Sequence, residues 1–251
     1  MKTILRAPFF EIGVKNYIYG NAVLELAKAA DQAAEEFDID VLFVAPYTDI
    51  WRVSQNTQRL IVLAPYMDTL YPGRGVADVL PEALAAAGAK GVMLNHCERP
   101  MPPCILKKAI QRANELDMLT FVCAGSIEEA QAVAHFHPDI INPEPPELIG
   151  TGKSVNMEFV KESIAAIKHI DPNIFVEQAA GITTGKQVYN YIFAGADAAG
   201  AASGIVKASS PCNMAREMIR SVRQAWDDRN HSGLIYATPE DLKICDRRID
   251  L

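Results

Sequence analysis

The chain has 251 residues, a length that suits one globular domain with a sizeable core. Its net charge of −7, with 49 % hydrophobic and 22 % charged residues and no Lys/Arg-rich block or long apolar run, argues against a nucleic-acid-binding, membrane-spanning or disordered chain. Five scattered cysteines without CxxC pairing argue against a disulfide framework or a zinc site, and no targeting segment is evident, so we expect a cytoplasmic protein.

Eight short apolar runs have the composition of strands that are buried on both faces of a parallel sheet. They are bounded by Pro, Gly or Asp, and several carry almost no polar residue. In chain order the predicted strands are Phe9–Val14, Asp40–Val44, Leu60–Ala64, Gly91–Leu94, Leu119–Cys123, Asp139–Asn142, Ile174–Glu177 and Ala198–Ala202.

Amphipathic runs between these strands predict helices. They cover Asn21–Phe37, Thr48–Ser54, Val79–Ala87, Cys104–Leu116, Ile127–Phe136, Met157–Ile170, Gly185–Phe193 and Pro211–Asp227. The alternation predicts an α/β fold with a parallel sheet, either closed into a (β/α)₈ barrel or open and doubly wound, and periodicity does not distinguish the two. We predict one domain over residues 1–228 and a C-terminal extension over residues 229–251, which falls outside the alternation.

Several polar residues follow the carboxyl ends of predicted strands, where barrels carry their functional residues. Lys15 follows the first strand, His96 and Glu98 follow the fourth, and Glu144 follows the sixth. Glycine-containing turns, AAGITTG and AASGIV, follow the seventh and eighth. Singly, such residues are more often solvated surface groups or turn formers. Together on one face, a cation, an imidazole, a carboxylate and two such turns suit proton abstraction next to a carbonyl in an anionic substrate.

Three tracts of the sequence resemble the triosephosphate isomerase family in its shorter, archaeal-like form. They are VLPEALAAAGAKGVMLNHCERP (79–100), EPPELIGTG (144–152) and AGADAAGAASGIVKA (194–208), and the resemblance runs from about Phe9 to about Arg223. NHCER corresponds to the family's G/N-H-S-E-R, and EPPELIGTG to its catalytic carboxylate and closing lid. The resemblance implies a single-domain TIM barrel and an aldose–ketose isomerase that interconverts dihydroxyacetone phosphate and glyceraldehyde 3-phosphate through an enediolate.

The resemblance also implies a role for each candidate residue. Glu144 would be the base that moves a proton between adjacent carbons, and His96 would be the neutral electrophile that polarises the carbonyl. Lys15 would offset the charge of the phosphate and the enediolate, and Glu98 would pair with Lys15. The substrate phosphate would be held by backbone N–H groups near Gly152, Gly181, Ser203 and Gly204.

Two loops acquire roles by the same resemblance. Pro145–Lys153 would be the lid that excludes water while the enediolate exists. Tyr66–Asp78 would reach a partner subunit, so a homo-oligomer is expected, with dimer and tetramer both open. The resemblance implies no cofactor and no metal.

The chain departs from the family pattern at three places. Gly13 stands where the family usually has a substrate-contacting Asn, the pair Val76-Ala77 where it has Thr-Gly, and Ala179 where it has Gly. A lost amide contact leaves space at the substrate, so a longer ketose phosphate such as a tetrulose phosphate is an alternative substrate.

Other functions fit the sequence less well. A non-catalytic sugar-phosphate-binding paralogue would have no need of a base and an electrophile. A Schiff-base aldolase would need an inward-facing Lys on a later strand, which the sequence does not offer. An open nucleotide-binding sheet would carry GxGxxG after its first strand, and this chain lacks it.

Overall fold

The eight apolar runs form eight parallel strands that close into a barrel, in a computed structural model that describes residues 2–232. Each strand pairs with the next in the chain, and β1 pairs with β8 to close the sheet. This closure confirms the (β/α)₈ barrel over the open, doubly wound sheet. The strands are β1 Phe9–Gly13, β2 Asp40–Val44, β3 Leu60–Ala64, β4 Gly91–Leu94, β5 Leu119–Ala124, β6 Ile140–Pro143, β7 Phe175–Gln178 and β8 Ala198–Ala201.

Helices cover the outside of the barrel, and none of those described is long and apolar enough to cross a membrane. Two 3₁₀ turns, Tyr47–Asp49 and Pro146–Leu148, lie in the loops after β2 and β6. The helices are α1 Asn21–Phe37, α2 Ile50–Ser54, α3 Pro81–Ala86, α4 Pro103–Glu115, α5 Ile127–Ala134, α6 Met157–Ile170, α7 Gly185–Phe193, α8 Ser203–Val206 and α9 Pro211–Ser232.

The other predicted helices begin and end within two residues of the predicted bounds, and two helices differ more. The four-residue α8 was not predicted, because a single turn of helix in a Gly- and Ala-rich segment has no apolar repeat. Helix α9 continues to Ser232, past the predicted end at Asp227. Arg229 donates hydrogen bonds to the carbonyls of Ile192 and Ala196 at 2.7 and 3.3 Å, which ties this last turn to the barrel. Of the predicted extension 229–251, residues 233–251 lie outside the described residues.

The inside of the barrel changes from apolar to polar along the strands. Phe9, Ile140 and Phe175 form part of the inner apolar cluster near the amino ends of β1, β6 and β7. Side chains two residues apart on a strand share a face. The next inward positions on these strands are therefore occupied by buried polar residues, Glu11, Asn142 and Glu177. The polar layer lies directly beneath the carboxyl ends of the strands, where a barrel carries its site.

A buried arginine joins the loop Tyr66–Asp78 to the helix layer. Arg112 of α4 is 4 % exposed, and its guanidinium contacts Glu82 of α3 and Glu115, each at 2.6 Å. It also donates to the carbonyl of Leu70 at 3.2 Å and stacks on the ring of Tyr71 at 3.9 Å. One cation therefore holds two helices and the base of this loop together.

Replacing Arg112 with Met is expected to lower the free energy of unfolding by about 2–4 kcal/mol, because two carboxylates lose their partner and the loop loses its anchor. Chemical denaturation measures the change. Arg216→Met is the matched control, since Arg216 pairs with Glu36 on the surface, where such a pair contributes about 1 kcal/mol or less. A loss at Arg112 no larger than that of the control would contradict the proposed anchor.

Candidate active site

A cavity of about 560 Å³ opens at the carboxyl ends of the strands. Its lining includes the four side chains that the sequence singled out, Lys15, His96, Glu98 and Glu144, together with the turns after β7 and β8. The four side chains come from loops that are up to 129 positions apart in the chain, between Lys15 and Glu144. The closed barrel brings them to one place.

The cation of the site is held by an exposed carboxylate. Lys15 follows β1 with a left-handed backbone, φ 47°, and its Nζ lies 2.9 Å from Oε1 of Glu98. Burial acts to lower the pKa of Lys15, but the hydrogen bond to Glu98 and the charges of Glu98 and Glu144 outweigh it and leave the pKa above its ordinary value. Lys15 is therefore an ammonium ion at neutral pH, with its direction set by Glu98.

The imidazole of the site is neutral, and its tautomer is defined. His96 is buried, and the backbone N–H of Glu98 donates to its Nδ1 at 3.1 Å. Burial, with the nearby charge of Lys15, lowers the pKa of His96 to about 4. Because Nδ1 accepts a hydrogen bond, the ring proton is on Nε2. Nε2 lies 3.7 Å from Oε2 of Glu144, a contact that is not an ion pair because the ring is uncharged.

The turn that carries His96 is fixed by the residue before it. Asn95 has a left-handed backbone, φ 58°, of the kind that Asn adopts more readily than most residues. Its amide donates to the carbonyl of Cys123 at 3.0 Å and to Glu129 at 2.9 Å, and its oxygen accepts from the N–H of Met101 at 2.9 Å. Asn95 therefore ties the loop after β4 to the next strand.

The carboxylate of the site is nearly buried and lightly hydrogen-bonded. Glu144 follows β6, and its Oε1 accepts from the N–H of Ala180 at 3.1 Å, while Asn142 approaches Oε2 at 3.5 Å. Burial raises the pKa of Glu144, and the charge of Lys15 acts in the opposite direction. A carboxylate with few hydrogen bonds in a poorly solvated place is a stronger base than one in water, as proton abstraction requires.

The four residues predicted to hold a phosphate do not all line the cavity. Gly181 and Ser203 do. Gly204 lies directly behind Ser203, where a Cβ would fall 2.0 Å from the carbonyl oxygen of Ile182, so only glycine fits. Gly152 is exposed and lies outside the lining, whereas Gly150 of the same loop lies within it.

Comparison with known proteins gives the chain its family. A sequence model described as triosephosphate isomerase matches residues 10–218. The chain belongs to the triosephosphate isomerase family. The triosephosphate isomerase of Methanobacterium bryantii is 33 % identical over 88 % of this chain and 100 % of its own length, and that of Methanobrevibacter smithii is 36 % identical over 82 % and 95 %. A crystal structure of triosephosphate isomerase from Bartonella henselae shares the fold, with a TM-score of 0.70 at 17 % identity over 87 % of this chain and 99 % of that one.

The departures from the triosephosphate isomerase pattern lie in two regions. Gly13 and Ala179 line the cavity, and a Cβ on Gly13 would fall 2.8 Å from Oε1 of Glu11. Val76 lies in the loop after β3 and is 94 % exposed. A side chain at position 13 would therefore compete for space with the carboxyl group of Glu11.

Sequence reasoning missed two polar residues of the cavity floor, Glu11 and Asn142. The available signal was a polar side chain at an inward position of a strand that is otherwise apolar, as in FFEIG. Among the residues that the structure describes, no group of three or more His, Cys, Asp and Glu side chains could hold a metal ion.

Proposed function

We propose that this chain is an aldose–ketose isomerase that interconverts dihydroxyacetone phosphate and glyceraldehyde 3-phosphate. The observation that carries the proposal is the pairing of a carboxylate, Glu144, with the protonated Nε2 of a neutral His96 at 3.7 Å, beside the ammonium of Lys15. The archaeal relatives that are named triosephosphate isomerase support it.

In this mechanism Glu144 removes a proton from the carbon next to the substrate carbonyl. His96 donates a hydrogen bond from Nε2 to the oxygen that gains charge, and Lys15 stabilises the resulting enediolate and the phosphate. Glu144 then returns the proton to the adjacent carbon while protons move between the two oxygens through His96. Protons and electrons balance within the substrate, so the step consumes no other reactant.

The phosphate is proposed to bind at the turns after β7 and β8. Backbone N–H groups near Gly181, Ser203 and Gly204 would hold the phosphate at that end of the cavity, and the two glycines have no side chain to prevent its close approach. The lid Pro145–Lys153 adjoins this turn, because the carbonyl of Lys153 lies 2.1 Å from the position of a Cβ on Gly181. Closure of this lid would bring Gly152 to the phosphate and exclude water from the enediolate.

We also propose a cytoplasmic homo-oligomer. The loop Tyr66–Asp78 presents Val76 at 94 % and Tyr71 at 60 % exposure, and these apolar surfaces would be covered by a second copy of the chain. Sedimentation equilibrium measures the assembly state, and a monomer at micromolar concentration would contradict it.

A steady-state assay with both triose phosphates tests the proposed activity. Turnover in both directions, with a kcat/KM higher than that for a four-carbon ketose phosphate, is expected. Preference for the four-carbon substrate would show that the same residues isomerise a longer sugar phosphate. Binding of either without turnover would instead favour the non-catalytic paralogue.

The dependence of kcat/KM on pH is expected to report Glu144 and not His96. The base must be ionised, so kcat/KM rises with pH through the pKa of Glu144, which lies above the ordinary 4.5, whereas His96 remains neutral above about pH 4. His96→Gln should therefore lower kcat/KM by about 10²- to 10³-fold and leave the acid limb in place. Disappearance of that limb in the variant would show that the imidazole is the titrating group.

A further inference from the structure

Two buried carboxyl groups lie beneath the catalytic cavity, and the mechanism above uses neither. Glu11 of β1 lines the cavity floor at 5 % exposure, and Glu177 of β7 is fully buried. Oε1 of Glu11 and both carboxyl oxygens of Glu177 have no hydrogen-bond partner among the described residues. Since a buried polar atom without a partner is costly, such a pair calls for a ligand contact, a shared proton or both.

Glycines on the neighbouring positions make room for these acids. A Cβ on Gly200 of β8 would lie 2.2 Å from Oε1 of Glu177 and 2.6 Å from Oε2 of Glu11. Because both oxygens are so near the same point, they are at most about 5 Å apart. A Cβ on Gly13 would lie 2.8 Å from Oε1 of Glu11. The two acids and the two glycines therefore form one packed arrangement under the site.

The groups around Glu11 favour its protonated form. The titratable groups that interact with its charge are Glu177 and Cys123 on other strands, Glu144 after β6 and Lys15 after β1. Burial raises the pKa of Glu11 to about 8, the charge of Glu144 adds to this, and Lys15 opposes it. Burial, and then the charge of Glu11, also keeps the pKa of Glu177 well above its ordinary range. At neutral pH Glu11 therefore carries a proton that it can donate in a hydrogen bond.

Glu11 lies next to Gly13, the position at which the resemblance implies the side-chain amide of an Asn. Its carboxyl group occupies the space next to Gly13 and lines the cavity, and its terminal torsion is soft enough to turn either oxygen towards a ligand. We propose that protonated Glu11 donates a hydrogen bond to an oxygen at the non-phosphorylated end of the substrate, in place of a side chain at position 13. Glu177 lies beside Glu11 and has no contact with the cavity. The inference rests on the proposed function, because it names a further contact to the same substrate.

Binding of two small phosphates by calorimetry isolates this contact from turnover. The probes are 2-phosphoglycolate, whose carboxylate only accepts hydrogen bonds, and ethyl phosphate, which has the same two carbons without it. Glu11→Met should lower the affinity for 2-phosphoglycolate by about 10- to 100-fold relative to ethyl phosphate, and Glu11→Gln should recover most of the loss because its amide donates. Gln178→Met, which removes a buried polar group that bonds Ser163, is the matched control and should leave the ratio unchanged.

The pH dependence supplies a readout that a structural role would not change. The ratio of the two affinities is measured against pH in wild type and in Glu11→Gln. The wild-type ratio, divided by that of the variant, should be constant at low pH and fall as the pH rises through the pKa of Glu11, because ionised Glu11 repels the ligand carboxylate. This comparison needs only variants that retain a polar group at position 11.

Three outcomes separate the proposals. A ratio unchanged in Glu11→Met, or a pH curve that is the same in wild type and Glu11→Gln, would overturn the role of Glu11 and leave the isomerase intact. The ratio of affinities could depend on Glu11 while the protein turns over neither triose phosphate. That result would overturn the proposed activity and retain the contact between Glu11 and the ligand. Discrimination together with turnover supports both.

Discussion

Glu144→Ala is expected to lower kcat/KM for either triose phosphate by about 10³- to 10⁴-fold. Among the residues that the structure describes, Glu144 is the carboxylate that lies beside the protonated Nε2 of His96, so its loss removes the base while the electrophile remains. Because the base acts in the transition state, the loss should fall on kcat, with KM changing only a few-fold. Steady-state kinetics in both directions measures this.

Two further variants test the assignment of the base. Glu144→Asp retains the acid but withdraws it by one methylene, so a loss of about 10²-fold is expected from misplacement alone. Glu162→Ala removes an exposed acid of α6 and should leave the kinetics unchanged. Activity of Glu144→Ala within tenfold of wild type would assign proton abstraction to another group and contradict the mechanism.

The secondary structure was largely predictable, because the sequence carries its signals locally. Helix α7 begins at its predicted residue, since Thr184 and Gln187 form a capping box. Helix α6 begins after Asn156, whose side chain accepts from the N–H of Phe159. Such local signals do not predict that the sheet closes, because the pairing of β1 with β8 joins residues that are about 190 positions apart.

The sequence predicted which strand-end side chains meet in the cavity and did not predict the cavity floor. Lys15, His96 and Glu144 lie at strand ends, and the resemblance to a family identified them before the geometry was known. The floor depends on pairs that are adjacent only in the barrel, such as Glu177 and Gly200 on neighbouring strands. A sequence shows Gly13 as the loss of a side chain, and only the structure shows that Glu11 occupies the vacated space.

Replacing Lys15 with Met is expected to lower kcat/KM by about 10²- to 10³-fold, since the variant retains the length of the side chain and loses its charge. The ammonium faces a substrate phosphate and an enediolate in a partly buried site, where an opposite charge has more effect than in water. Both kcat and KM should change, because the phosphate is present in the ground state and the enediolate only near the transition state.

The charge of Lys15 also affects the pKa values of Glu144 and His96, which gives the prediction a second readout. Its positive charge lowers the pKa of Glu144 and that of His96. Removing this charge raises both values, so the acid limb of kcat/KM should move to higher pH in Lys15→Met. The direction is fixed by sign, because a base without a nearby cation holds its proton more strongly. An acid limb that stays in place would show that Lys15 and Glu144 are not electrostatically coupled.

Two comparisons distinguish the charge of Lys15 from its packing. Lys108→Met removes an exposed cation of α4 and should change neither the rate nor the pH profile. Glu98→Gln keeps the ammonium but weakens the 2.9 Å contact that directs it, so a loss of about tenfold is expected. If Glu98→Gln were as inactive as Lys15→Met, the orientation of the ammonium would matter as much as its charge. The left-handed backbone at Lys15 would then also contribute to that orientation.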